Sequence, residues 1–400
     1  MFTTEEASKA IRDAVNALST ESVGFQQAVG RVLHQAVVAE RDQPPFDRVM
    51  MDGIAIRYSE FAEGQRTFAV QSTQHAGDER QSLKPGHAIE IMTGASLPQD
   101  ADCIIPVERI IVNDLGAHVR GDYEATERQF IHACGSDHTK GTELLARGKR
   151  VTAADIAVIA SAGLSEVDVA ANPTIRVIST GNELVPPGEP IADHQIRMSN
   201  GPAVVALLTD NGFADSMYEH IADDKESLKE RIGVHLAEAD VIVLSGGVSM
   251  GKADYVPEVL ADLGVTVRFH GISQRPGRPM WFGTGPEGQA VFALPGNPVS
   301  TLVCCRQYVV PALKQMQDEP DALPLFASLI EPVEFPPKLT CFLPVKILSN
   351  TGGQLLAMPI RTNTSGDFAA LSKTDGYIEL PLKESEFPAG TVAPLHRWRA

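Results

Sequence analysis

No apolar run in this sequence approaches the roughly 18 residues needed to cross a bilayer. Its start, Met1-Phe2-Thr3-Thr4-Glu5-Glu6, has neither the basic residues nor the apolar stretch of a secretion signal. No membrane is implied, and a cytoplasmic protein is expected. Positive charge is scarce: 34 Lys and Arg face 51 Asp and Glu, a formal charge of −17. Such a surface repels phosphate backbones and acidic lipid faces, which argues against general nucleic-acid binding. The 5 cysteines (Cys103, Cys134, Cys304, Cys305 and Cys341) form no C-x-x-C and lie too far apart for a zinc knuckle. They read as reduced thiols and core residues, with Cys304-Cys305 inside a helix. Internal repeats and low-complexity tracts are also missing.

What is present is ordinary globular material. The chain has 400 residues, 43% hydrophobic and 21% charged, enough for two to four domains of roughly 100–200 residues each. Thr3 and Glu6 make a capping box, and Ala7, Ala10, Ile11, Ala14, Val15 and Leu18 recur at helical spacing, predicting an amphipathic helix over 4–18. Between 45 and 137, short alternating segments and turns such as Asn113-Asp114-Leu115-Gly116 predict an inserted all-β domain, with a boundary at Pro44-Pro45. Thr152 with Asp155 opens a short helix that Gly163 stops, and a strand follows near 166–170.

From Pro173 the pattern turns regularly β-α-β. Strands are expected at 174–179, 215–220, 240–244, 265–271 and 290–294, and helices at 200–209, 225–238, 256–263 and 297–316. The last helix starts with Asn297 as cap and Pro298 at its first position. After Asp318-Glu319-Pro320-Asp321, alternating segments predict a small C-terminal β domain. The expected division is therefore 1–44 with 138–172, 45–137, 173–318 and 325–400.

In an open α/β sheet, ligands sit beyond the carboxyl ends of the strands. Three loops there are rich in glycine: Ser179-Thr180-Gly181-Asn182-Glu183-Leu184, Ser245 through Tyr255, and Leu294-Pro295-Gly296-Asn297-Pro298-Val299-Ser300. Glycine lets backbone N–H groups approach a phosphate, and the helix start that follows adds a positive dipole end. One such loop alone reads as a tight turn; three in one domain point to an anion or nucleotide cradle. Glu183, Asp254 and the pair Asp223-Asp224 also lie at strand ends, where carboxylates can hold magnesium between phosphates. Either Asp223 or Asp224 is equally suited to cap the helix that follows. Ser273-Gln274-Arg275-Pro276-Gly277-Arg278-Pro279 offers two guanidiniums for an oxyanion. In the insert, Asp52-Gly53 reads from chemistry alone as a hairpin turn, and Thr93 bonds either a ligand or its own turn.

Taken in order, these segments resemble the MoeA family of molybdopterin molybdenumtransferases, related to the E domains of gephyrin and of the plant enzyme. The resemblance spans essentially the whole chain and is carried by Phe46-Asp47 through Met51-Asp52-Gly53, Ile91-Met92-Thr93-Gly94-Ala95 and the three glycine loops. It implies a MogA-like doubly wound α/β domain, an inserted β lid, a small linking α+β domain and a C-terminal β domain. It implies a homodimer that inserts molybdate into adenylylated molybdopterin, releases AMP and needs magnesium. Docking to an adenylyltransferase or to acceptor molybdoenzymes is a further implied partnership.

By the same resemblance, Asp52, Asp137, Glu183 and Asp254 serve the chemistry, and Asp223 and Asp254 hold the metal ion. Thr93, Thr180, Gly181, Ser199, Asn200, Ser245, Gly246, Gly247, Ser249 and Gly251 line the substrate, as do Pro295, Gly296, Asn297, Pro298 and Ser300. Arg275 and Arg278 hold molybdate or phosphate. The chain departs from the family pattern in places. Val49-Met50-Met51 and Ile54 replace a serine and a tyrosine, Asn182 replaces an aspartate, the arginines replace lysines, and His132-Ala133-Cys134-Gly135-Ser136-Asp137 replaces an arginine-rich stretch. Two other readings stand beside this one: a carrier of the pterin nucleotide without insertion activity, and a nucleotide pyrophosphatase of the same fold.

Overall fold

The computed structural model describes residues 1–247, 255–361, 364 and 366–399. Within them the chain builds three six-stranded sheets and a small linking unit. The α/β sheet runs, edge to edge, Met217–Ile221, Ile175–Thr180, Val241–Ser245, Ala290–Leu294, Trp281–Thr284 and Thr266–His270. The first four strands are parallel, and Trp281–Thr284 pairs antiparallel with both of its neighbours. Strand alternation explains why both faces are covered. Ile178, Ile242, Leu244 and Val291 pack with Leu228 and Ile232 of the helix Lys225–Glu238. Val177, Val243, Phe292 and Leu294 point the other way, against Val204, Leu208 and Tyr308. Each fully buried large side chain contributes about 1.5–3 kcal/mol.

The β-α-β reading holds for the four parallel strands and their helices, but the segment expected as a further strand at 265–271 is an antiparallel edge strand, reached through Trp281–Thr284, and there are other local differences with physical reasons. The last helix is broken: Pro298–Cys304 and Val310–Met316 flank a π turn, where Val310 N–H donates to the carbonyl five residues back, at Cys305. Pro311 has no N–H to continue the ordinary ladder. The first helix is shorter than its periodicity predicts, Thr4–Arg12 rather than 4–18. Beyond it Leu18 N–H donates 2.7 Å to Met316 O, so Leu18 joins the core from a non-helical chain. Val15 likewise packs there, and an apolar spacing that continues past Arg12 reports packing without helix.

The insert sheet runs Cys103–Pro106, Gly53–Ile56, His87–Ile91, Thr67–Gln74, Gly116–Val119, Ile110–Asn113. Ile54 and Ile56 face one apolar cluster and Ala55 the other, so this sheet too is covered on both sides. It is not purely β, because a five-residue helix, Tyr58–Ala62, buries Phe61 against it. Gly53 is not a turn residue. It opens a central strand, and a Cβ there would stand 2.0 Å from Ile105 O. In the linking unit, Thr20–Gly24 pairs antiparallel with Glu166–Ala170 beside the helix Ala153–Ser161.

In the C-terminal part, Thr340–Ser349, Leu355–Pro359, Leu325–Leu329, Val392–Arg397 and Gly376–Leu380 close on themselves, since the first also pairs with the last. Val392–Arg397 completes this closure by pairing antiparallel with Leu325–Leu329 and Gly376–Leu380. Gln274–Arg275, in the loop after Thr266–His270, pairs with Thr340 and Cys341 of this sheet and not with the α/β sheet. The arginine loop thereby belongs to the junction of the two sheets. Phe342, Tyr377, Val299 and Val303 seal that junction.

The helix Ala153–Ser161 depends on one buried carboxylate. Asp155 accepts from Thr152 N–H and from Thr152 Oγ1, both at 2.8 Å, and from Lys149 Nζ at 2.6 Å. Burial pushes its pKa up, but the bonds from Lys149 and Thr152 outweigh this and hold it below the usual carboxylate value. Stability from a depressed pKa is present above the unfolded-state value and lost as pH falls through the native one. Asp155→Asn is therefore expected to destabilise the protein by about 1–3 kcal/mol at pH 7. In thermal melts this should appear as a lower Tm, with the gap to wild type closing in acid; an equal Tm at pH 7 would contradict it.

Candidate functional site

The site begins with strand register. Ser179 lies opposite Ser245, Ser245 opposite Leu294, and Ser179 opposite His220, so the parallel strands end at one level. Their following loops consequently touch. Gly246, at φ +99°, approaches so closely that a Cβ would lie 2.7 Å from Thr180 O, and the Cβ position of Gly296 lies 3.8 Å from Gly246 Cα. Asn200 locks the cluster: its Nδ2 donates 3.1 Å to Ser245 Oγ and 2.7 Å to Gly296 O. Thr180, Gly181, Asn200, Ser245, Gly246, Gly247 and Gly296 thus come together as expected.

Two polar atoms here have no protein partner among the described residues: Thr180 Oγ1 and Asn200 Oδ1, both shielded from solvent. A buried polar group left unbonded costs about 1–3 kcal/mol, so these atoms suit a ligand that bonds them. Glu183 is exposed, and its carboxylate lies over Gly181, where a Cβ would meet both carboxylate oxygens at 2.7 Å. His220, which the sequence reading overlooked, holds the same turn with Nε2 3.0 Å from Gly181 O. Asp224 is the residue that caps the following helix, accepting from Ser227 N–H at 3.0 Å. Asp223 adjoins the first loop through its backbone, its N–H donating to Asn182 Oδ1 at 3.1 Å. Ser249, Gly251 and Asp254 lie outside the described residues.

The remaining α/β candidates do not face the glycine turns as one group. Pro295 and Asn297 accept bonds from the Thr301 hydroxyl through their carbonyls, and Ser199 O receives Ala203 N–H, all of which shape helix starts. Asn297 stands at the cap of Pro298–Cys304 but makes no side-chain capping bond. Arg275, Arg278 and Ser300 line a separate cleft of about 1060 Å³ between the α/β and C-terminal parts. Arg361 of the C-terminal part lines it too, and the acidic residues facing these three guanidiniums are Glu331 and Glu334. Arg361 carried no signal in the sequence, because a contact some 80 residues along the chain leaves no local pattern. Among the described residues Arg275 and Arg278 make no ion pair.

On the insert, Asp52 and Thr93 do meet. Asp52 Oδ1 accepts from Thr93 N–H and Thr93 Oγ1, each at 2.7 Å. Those two donors hold its carboxyl below the usual range, so Asp52 is an ionised acceptor at neutral pH. Asp137 is paired with His132, Oδ1 to Nε2 at 2.9 Å. No described hydrogen bond or ion pair joins Asp52, Thr93 or Asp137 to the glycine loops within one chain. The thiols stay out of the chemistry: Cys103, Cys304, Cys305 and Cys341 are buried, and burial pushes Cys305 up to about 12. Cys134 departs from the core reading, being exposed on the insert.

Arg275→Ala combined with Arg278→Ala is expected to weaken binding of molybdate or phosphate, with the loss smaller at high salt because the site is exposed. Titration calorimetry reads this; unchanged affinity for both anions would refute the role of the cleft.

Comparison with known proteins agrees with this anatomy part by part. Residues 2–163 match the MoeA N-terminal region (domain I and II). Residues 176–315 match a probable molybdopterin binding domain, and residues 327–398 the MoeA C-terminal region (domain IV). A molybdopterin molybdenumtransferase of Synechocystis sp. is 38% identical over 371 residues, covering 92% of this chain and 93% of that protein. One from Staphylococcus aureus (strain MRSA252) is 31% identical over 397 residues, 97% of this chain and 94% of the other. The crystal structure of a molybdopterin biosynthesis MoeA protein from Pyrococcus horikoshii superposes with a TM-score of 0.84 at 30% identity, covering 100% of both chains. With glycine turns, arginine cleft and insert carboxylates set on that shared frame, the chain belongs to the MoeA family of molybdopterin molybdenumtransferases.

Proposed function

We propose that this protein inserts molybdate into adenylylated molybdopterin with release of AMP; its curated relatives are named molybdopterin molybdenumtransferases. The observation that carries this reading is the contact of three glycine turns around Thr180 and Asn200, whose buried side-chain oxygen atoms have no partner among the described residues. Backbone N–H groups in such turns suit phosphates, and the Thr180 hydroxyl suits a polar heterocycle or ribose. Arg275, Arg278 and Arg361 supply the charge that holds a tetrahedral oxyanion, against a background of −17. Cleaving a phosphoanhydride requires neutralised phosphates and a positioned attacking oxygen. Asp52, ionised and held by Thr93, is suited to accept a proton or orient that oxygen, and Asp137 and Glu183 to assist.

Magnesium is taken to bind at Asp223 and Asp254. Such sites use one or two carboxylates beside substrate phosphates and retain waters, so a cage of several acidic side chains is not required. Asp223, placed beside the first loop, fits that demand, and the ion when bound would neutralise phosphate charge. We further take the domain limits to be 1–44 with 138–172, 45–137, 173–318 and 325–400. The protein is taken to act in the cytoplasm as a homodimer, in which a partner's insert approaches the glycine loops. An adenylyltransferase that delivers substrate and a molybdoenzyme that accepts product are the docking partners. No described helix is long and apolar enough to cross a membrane.

The test is AMP release from adenylylated molybdopterin with magnesium, with and without molybdate. Molybdate-dependent release is expected. Tight binding without release would mean a carrier, and release indifferent to molybdate a hydrolase. Asp52→Ala is expected to abolish turnover with little loss of Tm, because an exposed carboxylate on a strand end contributes little to stability. Wild-type turnover in that variant would remove Asp52 from the reaction.

A further inference from the structure

We propose that His132 positions Asp137 for the reaction, and that Arg48 selects the tautomer in which it does so. This rests on the reading above only for its kinetic consequence, since the geometry stands alone. The short strands Arg48–Val49 and Ile131–His132 pair antiparallel, with His132 opposite Arg48. Arg48 Nη2 lies 3.0 Å from His132 Nδ1. A guanidinium has donors and no acceptor, so Nδ1 must accept and the ring proton sits on Nε2. That Nε2 faces Asp137 Oδ1 at 2.9 Å and donates to it. The direction of every bond in the chain Arg48 to His132 to Asp137 follows from the first.

The surroundings hold this relay still. Asp137 N–H donates to Gln43 O at 2.9 Å, and Met50 N–H to Phe130 O at 2.9 Å, which pins both strands. Asp47, the other acid next to Arg48, is occupied: it pairs with Arg128 at 2.8 Å and accepts Cys134 N–H at 2.9 Å. Arg48 is therefore left to His132. With Oδ1 engaged, Asp137 turns in one direction and keeps Oδ2 for the reacting group. Asp52 lies four residues beyond Arg48 on the same segment, so one short frame orients both insert carboxylates.

The full-length protein labelled with 15N-histidine, read by long-range proton–nitrogen correlation at pH 7.5, tests the tautomer directly. The ring that disappears in His132→Gln is expected to be neutral with its proton on Nε2, and to lose that single form in Arg48→Met. A proton on Nδ1, an imidazolium, or a spectrum unchanged by Arg48→Met would overturn the proposal. In the AMP-release assay, His132→Leu is expected to lower kcat about 10- to 100-fold, as misplacement of a reacting group does. KM should stay within about twofold. His132→Gln, whose amide can accept from Arg48 and donate to Asp137, should recover most of the rate; wild-type kcat in His132→Leu would refute the positioning role. Were the wild type to release no AMP, the functional reading would fail while the nitrogen spectrum would still decide the tautomer.

Discussion

The register of four parallel strands is the constraint on which the site depends. Because Ser179, Ser245 and Leu294 lie side by side, three separate loops leave the sheet at one height. A shift by one residue would turn every apolar side chain to the opposite face, and strands buried on both faces leave no face that tolerates it. Glycine then does what the register makes necessary. Gly246 and Gly247 have positive φ, and any Cβ on them would strike Thr180 or Val256. The Asn200 carboxamide ties the second loop to the third. Turn geometry, tertiary contact and the burial of the Thr180 and Asn200 side-chain oxygen atoms, without partners among the described residues, are consequences of one alignment.

The C-terminal barrel is joined to the α/β part through the loop that follows Thr266–His270, which lends it a short strand. Gln274–Arg275 pairs with Thr340 and Cys341, and Phe342 and Tyr377 bury themselves on the helix that begins at Pro298. Both arginines thereby line a cleft that Arg361 lines as well. In an acidic protein, a cleft lined by three guanidiniums and two carboxylates, Glu331 and Glu334, keeps an excess of one positive charge, which suits an oxyanion substrate. The cysteines of the same junction contribute packing; burial holds Cys341 up at about 12, far from thiolate chemistry at neutral pH.

The insert follows a different plan. Its sheet is fixed by alternation about Ile54, Ala55 and Ile56, and its polar groups are arranged along the segment from Asp47 to Asp52. Asp52 is held by Thr93, Asp137 by His132, and His132 in turn by Arg48. Each carboxylate thus presents a fixed orientation without being buried.

Hydrophobic periodicity and turn chemistry made most of this architecture legible. The β-α-β alternation after Pro173, the capping boxes at Thr3 and Thr152 and the hairpin at Asn113 through Gly116 depend on residues near one another in the chain, and such signals survive in one dimension. Misreadings arose where a distant partner decided. Residues 13–18 kept helical spacing, yet Leu18 bonds Met316 instead, and Gly53 looked like a turn because Ile105, which forbids it a side chain, is some 50 residues away. Motifs in the sequence by itself determined the family and the three glycine loops, because those depend on residue type and spacing. Only the tertiary structure decided that Arg275 and Arg278 share a cleft with Arg361, that Asp224 caps a helix while Asp223 does not, and that Arg48 governs His132. Each of those depends on which groups the folded chain brings within hydrogen-bonding or Coulombic reach, and no local pattern encodes that distance.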